Sequence, residues 1–304
     1  MFILFRSHKR CWQALLCIAG ATLAILPAFP AGQRNERIVL LPVLRSGQTV
    51  RYESHARIDR RVETKSNVST ILTPNQPRQD TQMTLRFLVR DAQLTGQKFV
   101  VSGETSIEPA PVSSAENAAP KPQNVSFQIA ADGSIAEPKG LDDLDPAEIL
   151  LWQFWSSQFA FEWTLPVNGV KPGEKWKSEE VEKAPTPIAN LVWERDITYV
   201  ENNKCPSVAG QECAVFLISS TLKQKSNPKD ATPEDYRIRQ LKTSGTASGT
   251  NETVAYISLP TGLLVRATED LRQFMSVTIA KADESNQVHY EIKVNSHFDT
   301  ALLP

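Results

Sequence analysis

The sequence predicts a mainly β protein made of antiparallel strands, with one aromatic-rich α-helix at its centre. Apolar residues alternate with polar ones in several stretches, whereas one stretch near residue 150 has helical spacing. Alternation gives a strand one buried face and one solvated face, which is typical of antiparallel rather than parallel sheets. The start of the chain has a different composition and predicts a separate targeting segment.

Residues 1–31 have the organisation of a signal peptide. The first ten residues contain three basic side chains, and no charge follows until after Ala31. A basic start, an apolar core and a small residue before polar sequence predict export with cleavage after Ala31, with Ala28 as a second candidate. The uncharged stretch of about 21 residues is also long enough to remain as a membrane anchor. We expect a periplasmic or extracellular protein that contacts the membrane only if this segment is retained.

Removal of the signal segment makes the chain mildly acidic. The segment takes away three of 33 basic residues and none of the 34 acidic ones, which leaves 30 against 34. A nucleic-acid-binding protein needs a concentrated basic surface, so this balance argues against that class of partner. It also argues against electrostatic docking on anionic lipid.

Two cysteines remain after the predicted cleavage, Cys205 and Cys213. In an oxidising compartment such a close pair predicts a structural disulfide that closes the loop between two strands. Catalytic dithiols usually have Cys-x-x-Cys spacing, which this pair lacks.

A first β unit is predicted over residues 32–144. Its apolar positions alternate in three stretches, and Asp132-Gly133 supplies a hairpin turn. The residues expected on the buried face are Val50, Tyr52, Ala56, Ile58, Met83, Leu85, Phe87, Val89, Val125, Phe127 and Ile129.

The connecting helix is predicted over residues 145–163. Asp145 is suited to the N-cap, Pro146 to the first helical position and Glu148 to the third, where its side chain can close a capping box. The carboxylates just before the helix, such as Asp142, are explained by the attraction of its free N–H groups.

The same helix is the most aromatic stretch of the chain. Trp152, Trp155 and Phe159 recur at helical spacing. They are candidates for contact with an apolar ligand or a partner protein, and the alternative is that they fill the core.

A second β unit is predicted over residues 164–304, and it resembles the first. Gly47–Tyr52 aligns with Gly173–Ser178 at an offset of 126, and the hairpin at Gly133 aligns with the one at Gly262 at an offset of 129. We interpret this recurrence as a tandem repeat of one β-meander with the helix at the junction. Near its end, Val288, Tyr290, Ile292 and Val294 are expected on one buried face.

No pattern in the chain indicates catalysis, metal binding or a cofactor. His55 and His289 fall on the polar faces of their strands, and no His-x-His or His-Glu-x-x-His spacing occurs. The sequence Gly245–Gly249 has its serine one place later than a nucleophile elbow requires. We therefore expect no catalytic residue, no metal ligand and no cofactor.

Two segments carry a resemblance to a known family. Leu165–Trp176 (LPVNGVKPGEKW) and Leu259–Arg266 (LPTGLLVR) resemble segments of uncharacterised exported bacterial β-rich proteins. The motifs are structural, so the resemblance implies a bacterial source and no active site. An antiparallel sheet with a covering helix is also similar in fold to periplasmic carriers of lipoproteins and lipids.

These observations predict a non-enzymatic envelope or periplasmic protein that binds an apolar ligand, such as a lipid, or a partner envelope protein on a β-sheet surface. One alternative is a cell-envelope hydrolase with an unrecognised site. Another is a structural scaffold subunit.

Overall fold

The computed structural model describes residues 37–66, 70–71, 79–95, 98–109, 122–182, 186–281 and 286–304. They belong to one compact unit, Glu36–Pro304. The predicted signal peptide, including Ala31, lies outside the described residues. None of the helices in the described part of the chain is long and apolar enough to span a membrane.

The protein is mainly β, as the alternation predicts. The strands are β1 (Thr49–Ser66), β2 (Thr70–Ile71), β3 (Gln79–Thr95), β4 (Lys98–Pro109), β5 (Gln123–Ile129), β6 (Ile135–Lys139), β7 (Lys175–Val181), β8 (Leu191–Lys204), β9 (Glu212–Gln224), β10 (Leu241–Ser258), β11 (Leu264–Lys281) and β12 (Gln287–Leu302). The helices are α1 (Pro146–Phe159) and the short α2 (Glu234–Ile238), with 3-10 turns at Leu141–Asp143 and Phe161–Thr164.

Eleven strands form one antiparallel sheet in the spatial order β6-β5-β4-β3-β1-β12-β11-β10-β9-β8-β7, and β2 pairs with β1. A first meander contains β1 and β3–β6, and a second contains β7–β12. The two are joined by β1 and β12, whose register runs from Tyr52 opposite Leu302 to Ser66 opposite Val288. Helix α1 therefore connects strands β6 and β7, which lie at opposite edges of the sheet.

The predicted strand faces of the first unit are confirmed. Every residue expected on the buried face of β1, β3 and β5 is buried in the structure. Strand β12 differs, because Val288, Tyr290, Ile292 and Val294 are only half-buried. The helix contacts β12 nearer the C-terminal end of the strand, where Phe154 stacks on Phe298 with ring centroids 5.0 Å apart. We call the sheet face that packs against α1 the inner face.

The two turns that the sequence aligns make the same backbone contacts. Gly47 N–H donates to Val89 O at 2.8 Å before β1, and Gly173 N–H donates to Tyr199 O at 2.7 Å before β7. Both glycines have φ of 82°, a left-handed conformation that costs glycine little. These shared contacts favour the tandem repeat, which stays a prediction.

Helix α1 begins where the sequence predicts. The Asp145 carboxylate accepts hydrogen bonds from the N–H groups of Ala147 and Glu148 at 2.8 Å each, and the Glu148 carboxylate accepts from the Asp145 N–H at 2.9 Å. This capping box satisfies N–H groups that a helix start leaves without partners. The α-helix ends at Phe159, and the chain continues into the 3-10 turn Phe161–Thr164.

The predicted disulfide is present. Cys205 follows β8 and Cys213 lies in β9, with their Cα atoms 5.1 Å apart. It closes the β8–β9 loop, in which Cys205 N–H also donates to Gln211 O at 3.0 Å.

Candidate functional site

One side of α1 packs into the core of the first meander. Trp155 and Phe159 are completely buried. Their rings stack with centroids 5.3 Å apart, Phe159 meets Phe87 edge-on at 5.1 Å, and Trp155 lies 5.7 Å from Tyr52. Aromatic pairs at these separations stabilise a core beyond the area they bury. The structure therefore places these two predicted contact residues among core side chains.

Trp152 has two environments. Its ring is edge-on to Phe127 at 5.3 Å, and its Nε1–H donates to Thr105 Oγ1 at 3.4 Å. It also lines a cavity on the other side of the helix. Of the three aromatic residues that the sequence singles out, Trp152 is the one placed at the cavity wall.

A cavity of about 420 Å³ lies between α1 and the inner face of the second meander. Its apolar walls include Phe154 of α1, Trp193 of β8, Leu222 of β9 and Met275 of β11. The volume falls within the range of small-molecule sites in proteins, about 300–1,000 Å³.

Both edges of the sheet border this cavity. Pro138 of β6 and Val181 of β7 line it, although these strands are the two ends of the strand order. The sheet thus curves until its edges flank one opening beside the helix. Apolar side chains are exposed there, with Val181 at 66% and Leu150 of α1 at 42%. We call this opening the mouth of the cavity.

The part of the cavity wall that the second meander forms also contains polar side chains, which lie on neighbouring strands. Arg195 of β8, Asn251 of β10 and Glu269 of β11 all line the cavity. Arg195 forms an ion pair with Glu180 at the sheet edge. Glu269 accepts a hydrogen bond from Thr253 Oγ1 at 3.2 Å. We call Glu180, Arg195, Asn251 and Glu269 the polar band.

The carboxyl group of Glu269 is perturbed by its surroundings. Burial raises its pKa, and hydrogen bonds to Asn251 and Thr253 and the charge of Arg195 oppose that rise in part. Burial raises a carboxyl pKa because a low-polarity environment penalises the charged form. A charged or hydrogen-bonding ligand group beside Glu269 would therefore interact strongly with this carboxyl group.

The sequence reasoning missed the polar band, although a signal was available. Arg195 stands between the buried Trp193 and Ile197, so the alternation of β8 points it to the inner face. Glu269 is inward as well, because it pairs with the inner-face residue Phe298. In both strands a charged residue occupies a position where the alternation predicts a buried side chain, and this pattern would have identified both as candidate site residues.

A second buried carboxyl group lies away from this cavity, at Glu162 in the 3-10 turn. Its side chain is buried, and neither carboxyl oxygen has a hydrogen-bond partner among the described residues. Burial raises its pKa well above the usual range. Burial, and to a lesser extent the negative charge of Glu162, also raise the pKa of Tyr52 well above its ordinary value. It borders a small cavity of about 30 Å³, enough for one water molecule.

The histidines of the described ranges, His55, His289 and His297, lie on the outer face of the sheet. His55 pairs with Asp80, and His297 Nδ1 lies 2.9 Å from Asp270 Oδ1. Within the described ranges, no three His, Cys, Asp or Glu side chains are grouped to hold a metal ion. No histidine lines the described wall of the 420 Å³ cavity.

Comparisons with known proteins do not extend this description. The sequence matches no protein-family model and no curated protein. The function is therefore inferred from the cavity and from the side chains that surround it.

Proposed function

We propose that this protein is an exported, non-enzymatic envelope or periplasmic protein that binds an amphiphilic small molecule in the cavity beside α1. The observation that carries the proposal is the cavity of about 420 Å³ with apolar walls and an opening between the sheet edges. Trp193 and Met275 supply the inner wall, and Leu150 and Val181 supply apolar surface at the mouth.

The size of the cavity sets the affinity that we expect. A ligand that buries about 300 Å² of apolar surface gains about 7 kcal/mol at about 25 cal/mol per Å². Association costs offset a substantial part of such a gain, and preorganised walls reduce them. We therefore expect a dissociation constant of about a millimolar for a simple alkyl ligand, with tighter binding where its polar end is also recognised.

The hydrolase alternative is less well supported by the same cavity. Ser156, Ser157 and Thr186 bring hydroxyl groups to its wall, but no histidine or cysteine lies among the described lining residues. A serine nucleophile needs an adjacent base to become reactive. The cavity therefore favours a binding protein over a hydrolase. Export to an oxidising compartment is supported by the start of the chain, which is basic and then apolar, and by the Cys205–Cys213 bond.

The proposal is tested by filling the cavity. Ala247 of β10 is buried and lines the wall, so the Ala247→Phe variant places a ring in the space that a ligand would occupy. We expect binding of the neutral apolar dye N-phenyl-1-naphthylamine, measured by fluorescence titration, to weaken at least tenfold. The far-ultraviolet circular dichroism should keep its β character.

The matched control is Ala209→Phe. Ala209 is exposed in the loop closed by the disulfide and does not line the cavity. This variant should bind the dye like the unmodified protein. Equal dye binding by the Ala247→Phe variant and the unmodified protein would show that the cavity is not the binding site.

A further inference from the structure

The cavity wall is itself amphipathic, which bears on the kind of ligand that it accepts. Along β11 the inner-face positions Glu269, Leu271, Gln273 and Met275 all line the cavity. At about 3.3 Å per residue, Glu269 and Met275 are about 20 Å apart along the strand. The wall therefore has the Glu269 carboxylate towards one end, and towards the other end Met275, Trp193 and Leu222 make it mainly apolar. The polar groups at that second end are Gln273 and Glu182, whose carboxylate accepts a hydrogen bond from Trp193 Nε1 at 2.9 Å.

The charge of the described lining is negative. It contains three carboxylates, Glu180, Glu182 and Glu269, and one guanidinium, Arg195. Arg195 is already engaged with Glu180 in an ion pair. An anionic ligand group would have to compete with Glu180 for that guanidinium, in a partly buried site where charge repulsion is poorly screened.

Glu269 is the carboxylate best placed to meet a ligand. It accepts a hydrogen bond from Thr253 at 3.2 Å, and the charge of Arg195, which is paired with Glu180, acts on it from farther away. Burial raises its pKa. A positive group beside it would stabilise its charged form and would be attracted more strongly than in water.

A second polar group on the same face has no partner. Ser296 of β12 is buried, and its hydroxyl has no hydrogen-bond partner in the described part of the chain. It lies between Val294 and Phe298, which both line the cavity, and it pairs with Leu271, two residues from Glu269. A buried polar group without a partner is costly. Ser296 itself does not line the cavity, so its hydroxyl adds polar character behind the wall near Leu271 rather than a ligand contact.

We infer that the cavity selects an amphiphile whose polar end is a positively charged hydrogen-bond donor, a long-chain amine rather than a fatty acid. The ammonium group lies at Glu269, and the alkyl chain runs along β11 towards Met275 and the Trp193 ring. This inference rests on the proposed function and adds the class of ligand.

The test uses three ligands that share one alkyl chain. Dodecylamine, dodecanol and dodecanoate are titrated at neutral pH into the full protein loaded with N-phenyl-1-naphthylamine. The two ionic ligands are kept below their micelle concentrations and dodecanol below its solubility limit. We expect dodecylamine to displace the dye at a concentration at least tenfold lower than dodecanoate, with dodecanol between them. The unmodified protein suffices for this ratio, so the result does not depend on any variant folding.

A variant then assigns the preference to one residue. Glu269→Gln keeps the size of the side chain and one acceptor oxygen for Thr253, and it removes the charge. We expect the advantage of dodecylamine over dodecanol to fall below about threefold. The control Glu252→Gln changes an exposed carboxylate of β10 outside the cavity and should keep the full preference.

The outcomes separate this inference from the proposed function. Equal displacement by all three ligands, or a preference for dodecanoate, would overturn the amine selectivity and leave the apolar cavity as a binding site. Absence of dye binding to the unmodified protein would overturn the proposed function itself. A preference for dodecylamine that survives Glu269→Gln would contradict the assignment to this carboxylate.

Discussion

The two meanders of the sheet present their inner faces to the same helix in different ways. In the first meander, Phe87 and Phe127 interlock with the rings of Trp155 and Phe159, and those rings fill the space under the helix. In the second meander, the inner face carries Arg195 and borders the cavity of about 420 Å³. The filled side stabilises the fold, whereas the open side leaves apolar surface that a ligand can cover.

The largest difference in unfolding free energy is expected between variants on the two sides of α1 itself. The Trp155→Ala variant removes a completely buried ring from the filled side and should lower the free energy of unfolding by about 3–5 kcal/mol. The Leu150→Ala variant acts on the mouth side, where the side chain is 42% exposed, and should cost less than about 1 kcal/mol. Urea denaturation followed by tryptophan fluorescence and circular dichroism measures both. Similar losses for the two variants would show that the sides of the helix do not differ as described.

Gly→Ala substitutions in the two meanders should give a smaller difference in stability. A Cβ at Gly103 of β4 would lie 2.0 Å from Cε2 of Phe87, so the Gly103→Ala variant forces a core ring to move. Overpacking of this kind costs about 1–3 kcal/mol. At Gly249 of β10, beside the cavity, the nearest atom is Arg272 O at 3.0 Å, and the Trp193 ring next to it borders open space.

We expect Gly249→Ala to destabilise the protein by less than Gly103→Ala in the same urea experiment. The reverse order would mean that the second meander is packed as tightly as the first. Neither glycine has the left-handed backbone that would add a separate cost, so the comparison reports packing.

A pH-dependent effect is expected on the filled side, from Glu162. Its folded-state pKa is raised by burial, so the folded protein binds a proton that the unfolded chain releases above its ordinary carboxyl pKa. The stability due to this group is therefore complete at low pH and falls as pH rises, by at most about 1.4 kcal/mol per pH unit, until the folded-state pKa is passed.

The Glu162→Gln variant removes this dependence. It should match the unmodified protein near pH 4 and be more stable at pH 7, because only the unmodified protein loses the stabilising contribution of the bound proton as pH rises. Unfolding free energies at several pH values provide the measurement, with the exposed Glu194→Gln as control. A slope that persists in the Glu162→Gln variant would assign the pH dependence to another group.

Much of the local structure follows from patterns that the sequence displays. The capping residues Asp145 and Glu148 mark the start of α1, and the alternation around Tyr52 and Phe87 marks buried strand faces. The spacing of Cys205 and Cys213 indicates their bond. These features depend on neighbours within a few residues, so local sequence is sufficient to predict them.

The candidate site was only partly visible in the sequence. Helical spacing identified Trp152, but it could not separate this residue from Trp155 and Phe159, because all three project from neighbouring positions of one helix. Which ring meets the core and which meets a cavity depends on what the opposite strands present. Arg195 and Glu269 were missed because charged residues were assigned to solvated faces.

The sequence alone determined that this is a mainly antiparallel β protein with one central aromatic helix, because alternation and capping are local properties. Only the tertiary structure decided that β1 pairs with β12, with Tyr52 opposite Leu302, and that β6 and β7 end as edges beside one cavity. Those contacts join residues far apart in the chain. Their register depends on the combined packing of both meanders on α1, which no single segment encodes.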